Sequence, residues 1–300
     1  MDKARRAALQ QGWTHGLGCT LGRPGRTPAG ATGERLGHRV GSSIEFMDYR
    51  DYAPGDDLRR LDWAAYARSD RLMVRLHREE VTPHVDVLVD ATDSMALADT
   101  PKQAATLGLT ALLCGAAENT RWSRRVFALR AGDDASPLAG VEVPGGSGEP
   151  AGWTLEAEGS AFGVSQDAVG EITLRRRGLR VVVSDLLFEA DPDALVSRWA
   201  DGAAGLWVVQ LLALQDADPS AALGFDGDVR LVDAEAGGLQ EVRLDAAALQ
   251  RYRDALAAHT ARWTDALGRV GGRLVTVVAE ELLDGWDTRS LMQAGVLEAR

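Results

Sequence analysis

The feature that most constrains this chain is a repeated alternation of short apolar runs with segments of helical periodicity. His84–Asp90 is the first run, with Val85, Val87 and Val89 leading into polar residues. Others fall at 125–131, Leu179–Ser184, 206–214 and 273–279. A stretch such as Val181-Val182-Val183 suits a strand covered on both faces, as in a parallel sheet. Between the runs, Thr100-Pro101 reads as an N-cap and a first-turn proline opening an Ala/Leu-rich helix to about Glu118. Further helices are expected at 162–175, 191–199 and 246–269. In the last, Leu249, Tyr252, Leu256, His259, Trp263 and Leu267 recur at intervals of three and four. A coiled-coil partner could read that stripe, but it ends where the next strand begins, so one face packed on a sheet is expected. The alternation predicts an α/β fold with a doubly wound, mostly parallel sheet.

Residues 1–34 are rich in Gly, Arg and Thr and read as an arm, lying on the surface or partly disordered. Residues 35–83 are dense in charge and turn residues, and 84–285 form the main domain. Two β excursions are expected within it. One is 132–159, containing Val-Pro-Gly-Gly-Ser-Gly-Glu-Pro; the other is 224–244, with Val229 to Val232 as a strand and Gly237-Gly238 as its turn. Residues 286–300 read as a tail.

Composition narrows the class. The hydrophobic fraction of 45% and charged fraction of 26% are those of a globular chain. Net charge is −11, yet residues 1–83 carry 14 basic and 11 acidic side chains. The main body is therefore strongly acidic and repels phosphate backbones, so nucleic acid is not an expected partner. Cys19 and Cys114 fit no zinc spacing or disulfide framework. The N-terminus has no apolar stretch behind its charges, and the longest apolar run, 205–214 around Gln210, is far short of the roughly 20 residues of a membrane helix. A cytoplasmic protein without a membrane span is expected.

In an open α/β sheet, ligands bind beyond the carboxyl ends of the strands, where strand order reverses. If 132–159 supplies the third strand, Leu179–Ser184 is the fourth. The first loop is then Asp90-Ala91-Thr92-Asp93-Ser94, and the fourth begins at Asp185. Carboxylates and hydroxyls at this spacing are hard oxygen donors that suit Mg²⁺. Asp, Thr and Ser also follow strands simply as turn and cap residues. Other chemistries lack their residues: there is no Gly-x-Gly-x-x-Gly or Walker loop, and no Gly-x-Ser-x-Gly elbow. The aspartate that a haloacid dehalogenase needs two residues after its nucleophile is here Thr92. His77-x-x-Glu80 lacks a second histidine at helical spacing.

The Asp-x-Thr-x-Ser pattern resembles the metal-ion-dependent adhesion site of von Willebrand factor A domains. The resemblance implies Thr92 and Ser94 as direct ligands of Mg²⁺ or Mn²⁺, with Asp90 and Asp185 as supporting carboxylates. Ser160, in Gly159-Ser160, stands nearest to the family's later threonine, a departure from its pattern. A second resemblance rests on Glu45-Phe46, on Tyr49 to Trp63 (Tyr-Arg-Asp-Tyr-Ala-Pro-Gly-Asp-Asp-Leu-Arg-Arg-Leu-Asp-Trp), on Ala67-Arg68 and on Val74-Arg75. This block is similar to that of domain-of-unknown-function family 58, bacterial von Willebrand factor A-like proteins encoded beside MoxR-type AAA+ ATPases. Physically it reads as a Pro54-Gly55 turn, Asp56 as an N-cap, and a short helix carrying Arg59, Asp62 and Trp63. Arg50, Arg59 and Arg68 against Asp56, Asp57 and Asp62, with Tyr52 among them, form either a partner platform or a fold-locking set of ion pairs.

Together these readings imply a non-enzymatic, metal-ion-assisted protein-interaction module. Its implied partner is a MoxR-type AAA+ ATPase, and its role the assembly or maturation of a client that supplies an acidic residue. The alternatives are a Mg²⁺-dependent phosphoester hydrolase, with Asp93 as the spare carboxylate, and a metal-free scaffold whose Asp90 loop only caps the following helix.

Overall fold

A computed structural model describes residues 3–24, 31–54, 56, 59, 61–97, 99–129, 139–153, 170–220, 227–232 and 239–300. The chain opens with α1 (Lys3–Gly16), β1 (Cys19–Leu21), β2 (Ala31–Asp51), α2 (Trp63–Ser69) and β3 (Met73–Thr82). The main body follows as β4 (His84–Asp90), α3 (Lys102–Asn119), β5 (Ser123–Leu129), β6 (Ala139–Glu142), β7 (Gly170–Glu171), β8 (Leu179–Ser184) and α4 (Pro192–Ala200). Then come β9 (Gly205–Leu212), α5 (Leu214–Ala217), the hairpin β10 (Gly227–Val232) and β11 (Leu239–Leu244), and α6 (Ala246–Val270). The chain closes with β12 (Arg273–Val278), α7 (Ala279–Leu283), α8 (Arg289–Gln293) and β13 (Leu297–Ala299).

The central sheet has seven strands in the order β12-β9-β8-β4-β5-β6-β7. β12, β9, β8, β4 and β5 are mutually parallel, while β6 and β7 add an antiparallel edge. The pleat sorts side chains with a period of two. Val85, Val87 and Val89 of β4, with Val181 and Val183 of β8, join one core together with α1 and α3. Leu88 and Val182 join a second core on the opposite face, with Trp199 of α4 and Trp263 of α6. The two indoles stack with centroids 5.8 Å apart. The stripe on α6 is therefore a sheet-facing stripe, and the α/β, doubly wound, mostly parallel architecture read from the sequence is the one observed.

Three expectations are corrected. Residues 3–16 are not a surface arm but a helix lying on α3, and β1 pairs antiparallel with β13, Cys19 opposite Ala299. The expected tail is likewise built in: Trp286, Leu291, Val296 and Leu297 are buried in the first core. Arm and tail hold each other, an arrangement that local periodicity cannot reveal. The expected helix at 162–175 is not borne out where it is described, since Gly170–Glu171 is a strand and 172–175 are not helical; 162–169 lie outside the described residues. The turn at Gly237-Gly238 also lies outside them. Among the described residues, no helix is long and apolar enough to cross a membrane.

The α1–α3 crossing depends on glycine. A Cβ at Gly12 would stand 2.0 Å from the carbonyl oxygen of Gly108, and one at Gly16 would stand 2.1 Å from that of Leu112. Gly268 in α6 has open space around it. In an unobstructed helix, alanine gains about 1 kcal/mol over glycine. Gly268→Ala is therefore expected to stabilise the chain by up to about 1 kcal/mol. Gly12→Ala is expected to destabilise it by about 1–3 kcal/mol, as overpacking does. Urea unfolding of both variants checks the opposite signs.

Candidate functional site

Strand order reverses at β4. Its crossover through α3 leads to β5 on one side, while β8 lies on the other, parallel and in register from Val85–Leu179 to Val89–Val183. The crevice at the carboxyl ends of β4 and β8 is thus the switch point of the sheet. Asp90 closes β4, and Asp185 follows directly on Ser184 at the end of β8.

Asp90 is buried and takes its hydrogen bonds from neutral donors. Oδ1 accepts from the Thr92 amide at 3.0 Å and the Thr92 hydroxyl at 2.7 Å; Oδ2 accepts from the Ser184 hydroxyl at 2.6 Å. Because Thr92 has spent its one proton on Asp90, the 3.0 Å contact between Thr92 Oγ1 and Ser94 Oγ uses the Ser94 proton. Thr92 and Ser94 are half-buried, while Asp93 between them is exposed. The loop then enters a single 3₁₀ turn, Asp93–Ala96, pinned by Met95 in the core. Burial, and secondarily the Asp185 charge, push the Asp90 carboxyl above its ordinary value.

Asp185 faces a cation that the sequence reading missed. Lys102 Nζ donates to Asp185 Oδ2 at 2.6 Å and to Asp216 Oδ2 at 3.1 Å, and the Lys102 and Asp185 side chains are each 1% exposed. Asp216 Oδ2 also accepts from the Ala213 amide, and its backbone carbonyl accepts from the Tyr252 hydroxyl at 2.6 Å. Gln210, the polar residue inside the longest apolar run, donates to the Asp185 carbonyl at 3.1 Å. The Asp185 carboxylate also accepts from the Leu187 amide at 3.0 Å across Leu186, which sits at φ +59°. That conformation is costly for leucine and is held here from both sides. The Leu186 amide donates to Ser184 Oγ, and its carbonyl accepts from His259 Nε2 at 2.6 Å.

The donors gathered here are oxygens, the kind that hard divalent ions take. Asp90, Asp185 and Asp216 bring three carboxyl groups to the single Lys102 ammonium, and two hydroxyl oxygens lie beside Asp90. Among the described residues, no three His, Cys, Asp or Glu side chains converge as a metal cage. Hydroxyls and water would thus have to complete the shell, as Mg²⁺ tolerates. Of the residues expected here, the fold brings Asp90, Thr92, Ser94 and Asp185 to one crevice; Ser160 lies outside the described residues.

The N-terminal block is built differently from its expected form. Asp56 takes a two-pronged contact from Arg50, at 2.7 and 2.5 Å, and accepts from the Ala53 amide at 2.9 Å; residues 57, 58 and 60, on which its expected role as a cap depends, lie outside the described residues. The helix that carries Trp63 is capped by buried Asp62, which accepts from the Ala64 and Ala65 amides, because a first turn needs an acceptor one residue before it. Tyr52 is half-buried, and its amide donates to the Leu72 carbonyl. Pro54, Arg59 and Arg68 are exposed, and Gly55 and Asp57 lie outside the described residues. Trp63 is 63% exposed and meets Tyr66 edge-on at 6.4 Å.

The family model described as "Protein of unknown function DUF58" matches residues 48–139 and 154–262, about two thirds of the chain. Uncharacterized proteins of Mycobacterium bovis (Mb1516) and Mycobacterium tuberculosis (Rv1480) are each 28% identical over 244 residues, spanning 76% of this chain and 73% of theirs. A solved structure, the conserved hypothetical protein BatB from Bacteroides thetaiotaomicron, overlaps 69% of this chain and 98% of its own at 11% identity, with a TM-score of 0.32. That likeness is too loose to argue from.

The raised Asp90 carboxyl has a consequence for stability. A group that binds its proton more tightly when folded makes the folded state lose stability as pH rises from the unfolded value of 3.8 through the raised one. Asp90→Asn removes that loss. In EDTA, the variant is expected to gain on the wild type steadily as pH rises through this window and to hold a constant margin above it. Urea unfolding at a series of pH values checks this; a margin independent of pH would show that folding does not raise the Asp90 carboxyl.

Proposed function

This chain belongs to the DUF58 family of proteins of unknown function, and on that footing we propose that it is a non-enzymatic protein-interaction module of von Willebrand factor A type. In this reading Thr92 and Ser94 hold Mg²⁺ or Mn²⁺ at the β4–β8 switch point, and Asp90 and Asp185 support it. The observation that carries the proposal is Asp90 itself: a buried carboxylate hydrogen-bonded by neutral donors, beside two hydroxyl oxygens 3.0 Å apart. When bound, such an ion supplies an electrophilic coordination position that a partner's carboxylate can fill.

The chain's own residues do the positioning. Asp90 orients Thr92 through both its amide and its hydroxyl, so the Thr92 lone pairs are aimed without rotamer freedom. Ser184 locks the other Asp90 oxygen and, through the Leu186 amide, ties it to the Asp185 turn. The two loops are thereby joined by hydrogen bonds. The partner in this reading is a MoxR-type AAA+ ATPase, working with this chain in assembly or maturation of a client with an acidic docking residue. The exposed Trp63–Tyr66 pair offers apolar contact area of the kind that anchors protein interfaces.

Calorimetric titration of Mg²⁺ and Mn²⁺ into the wild type, Asp90→Ala and Asp185→Ala tests the proposal. One-site binding by the wild type, lost in both variants, is expected. Equal binding by all three moves the ion elsewhere and removes the mechanism. No binding by any of them, with or without the ATPase, leaves a metal-free scaffold.

A further inference from the structure

We infer that Lys102 is a built-in competitor of the divalent ion, setting how weakly the free chain holds it; the inference rests on the metal-assisted reading above. A lysine with its side chain 1% exposed is expensive to bury, and such groups persist only when paired. Lys102 is paired twice, and both partners belong to the switch-point crevice: Asp185 Oδ2 at 2.6 Å and Asp216 Oδ2 at 3.1 Å. Neither contact is needed to form α3. An ammonium in the first turn of a helix opposes the helix dipole, so the placement runs against local preference.

Asp185 is the carboxylate that the metal reading needs from β8, yet one of its oxygens is already occupied by Lys102 and the other by the Leu187 amide. A divalent ion entering beside Asp90 therefore meets a second acid already neutralised and a positive charge close behind it. Both effects lower affinity in the absence of a partner. A partner's carboxylate adds the negative charge that Lys102 has cancelled, so loading of the ion is tied to docking. Lys102 acts here as a positioning residue, with no direct contact to the ion required.

Mn²⁺ and Mg²⁺ are titrated calorimetrically into the wild type, Lys102→Met, Lys102→Met/Asp216→Asn and Lys102→Met/Asp90→Ala. The double variant carrying Asp216→Asn leaves one fewer unpaired carboxylate and keeps the test open if the single variant folds poorly. The expected result is binding at least tenfold tighter without Lys102, a gain of about 1.4 kcal/mol, abolished again by Asp90→Ala. Thermal unfolding gives a second readout: Mn²⁺ is expected to raise the melting temperature of the Lys102 variants more than that of the wild type, because binding to the folded state stabilises it. Binding by the wild type that is unchanged or weaker in the Lys102 variants overturns the role of Lys102 and leaves the metal reading intact. No binding or thermal response in any of the proteins overturns both.

Discussion

The lateral pairing of β4 with β8 is the contact on which the rest of this structure depends. Each strand sits inside a sheet covered on both faces, so every side chain along it is buried. The apolar ones divide by parity between the α1–α3 core and the α4–α6 core. The polar ones can survive only at strand ends or in closed hydrogen-bond sets. Asp90, Ser184 and Asp185 are the residues at those ends, and parallel pairing sets them side by side.

Once they are side by side, electrostatics governs the crevice. Two buried acids that feel each other need a cation, a proton or both, and the chain supplies one ammonium of its own in Lys102. That ammonium goes to Asp185, and Asp90 is left with hydrogen bonds from Thr92 and Ser184, its carboxyl pushed toward the protonated form. Gln210 and the strained Leu186 turn serve this arrangement from beneath, by fixing the backbone that carries Asp185.

The chain termini illustrate a different physical lesson. α1 carries little apolar contrast along its length, and its fit to α3 rests on glycines that let two backbones approach within van der Waals contact. Leu9 and Trp13 are the only large apolar side chains on its buried face, beside Ala8, Gly12 and Gly16, and so short a stripe reads as an arm. The pairing of β1 with β13 joins residues 278 positions apart, as the Thr20 hydroxyl bond to the Glu298 carbonyl marks. No local pattern encodes a partner at that separation.

What the sequence determined by itself was whatever has a short physical range. The periods of β4, β8 and α6 follow from side-chain alternation within single elements, and the Asp90-x-Thr92-x-Ser94 loop and Asp185 were visible as polar residues ending apolar runs. The tertiary structure alone decided which distant groups would face that loop. Lys102 and Asp216 lie 114 positions apart and look like an ordinary helix-start lysine and a turn aspartate until the fold closes. The same holds for Asp56, whose partner in the fold is the Arg50 guanidinium. Charge pairing is set by distance in space, and only the packed chain sets that distance.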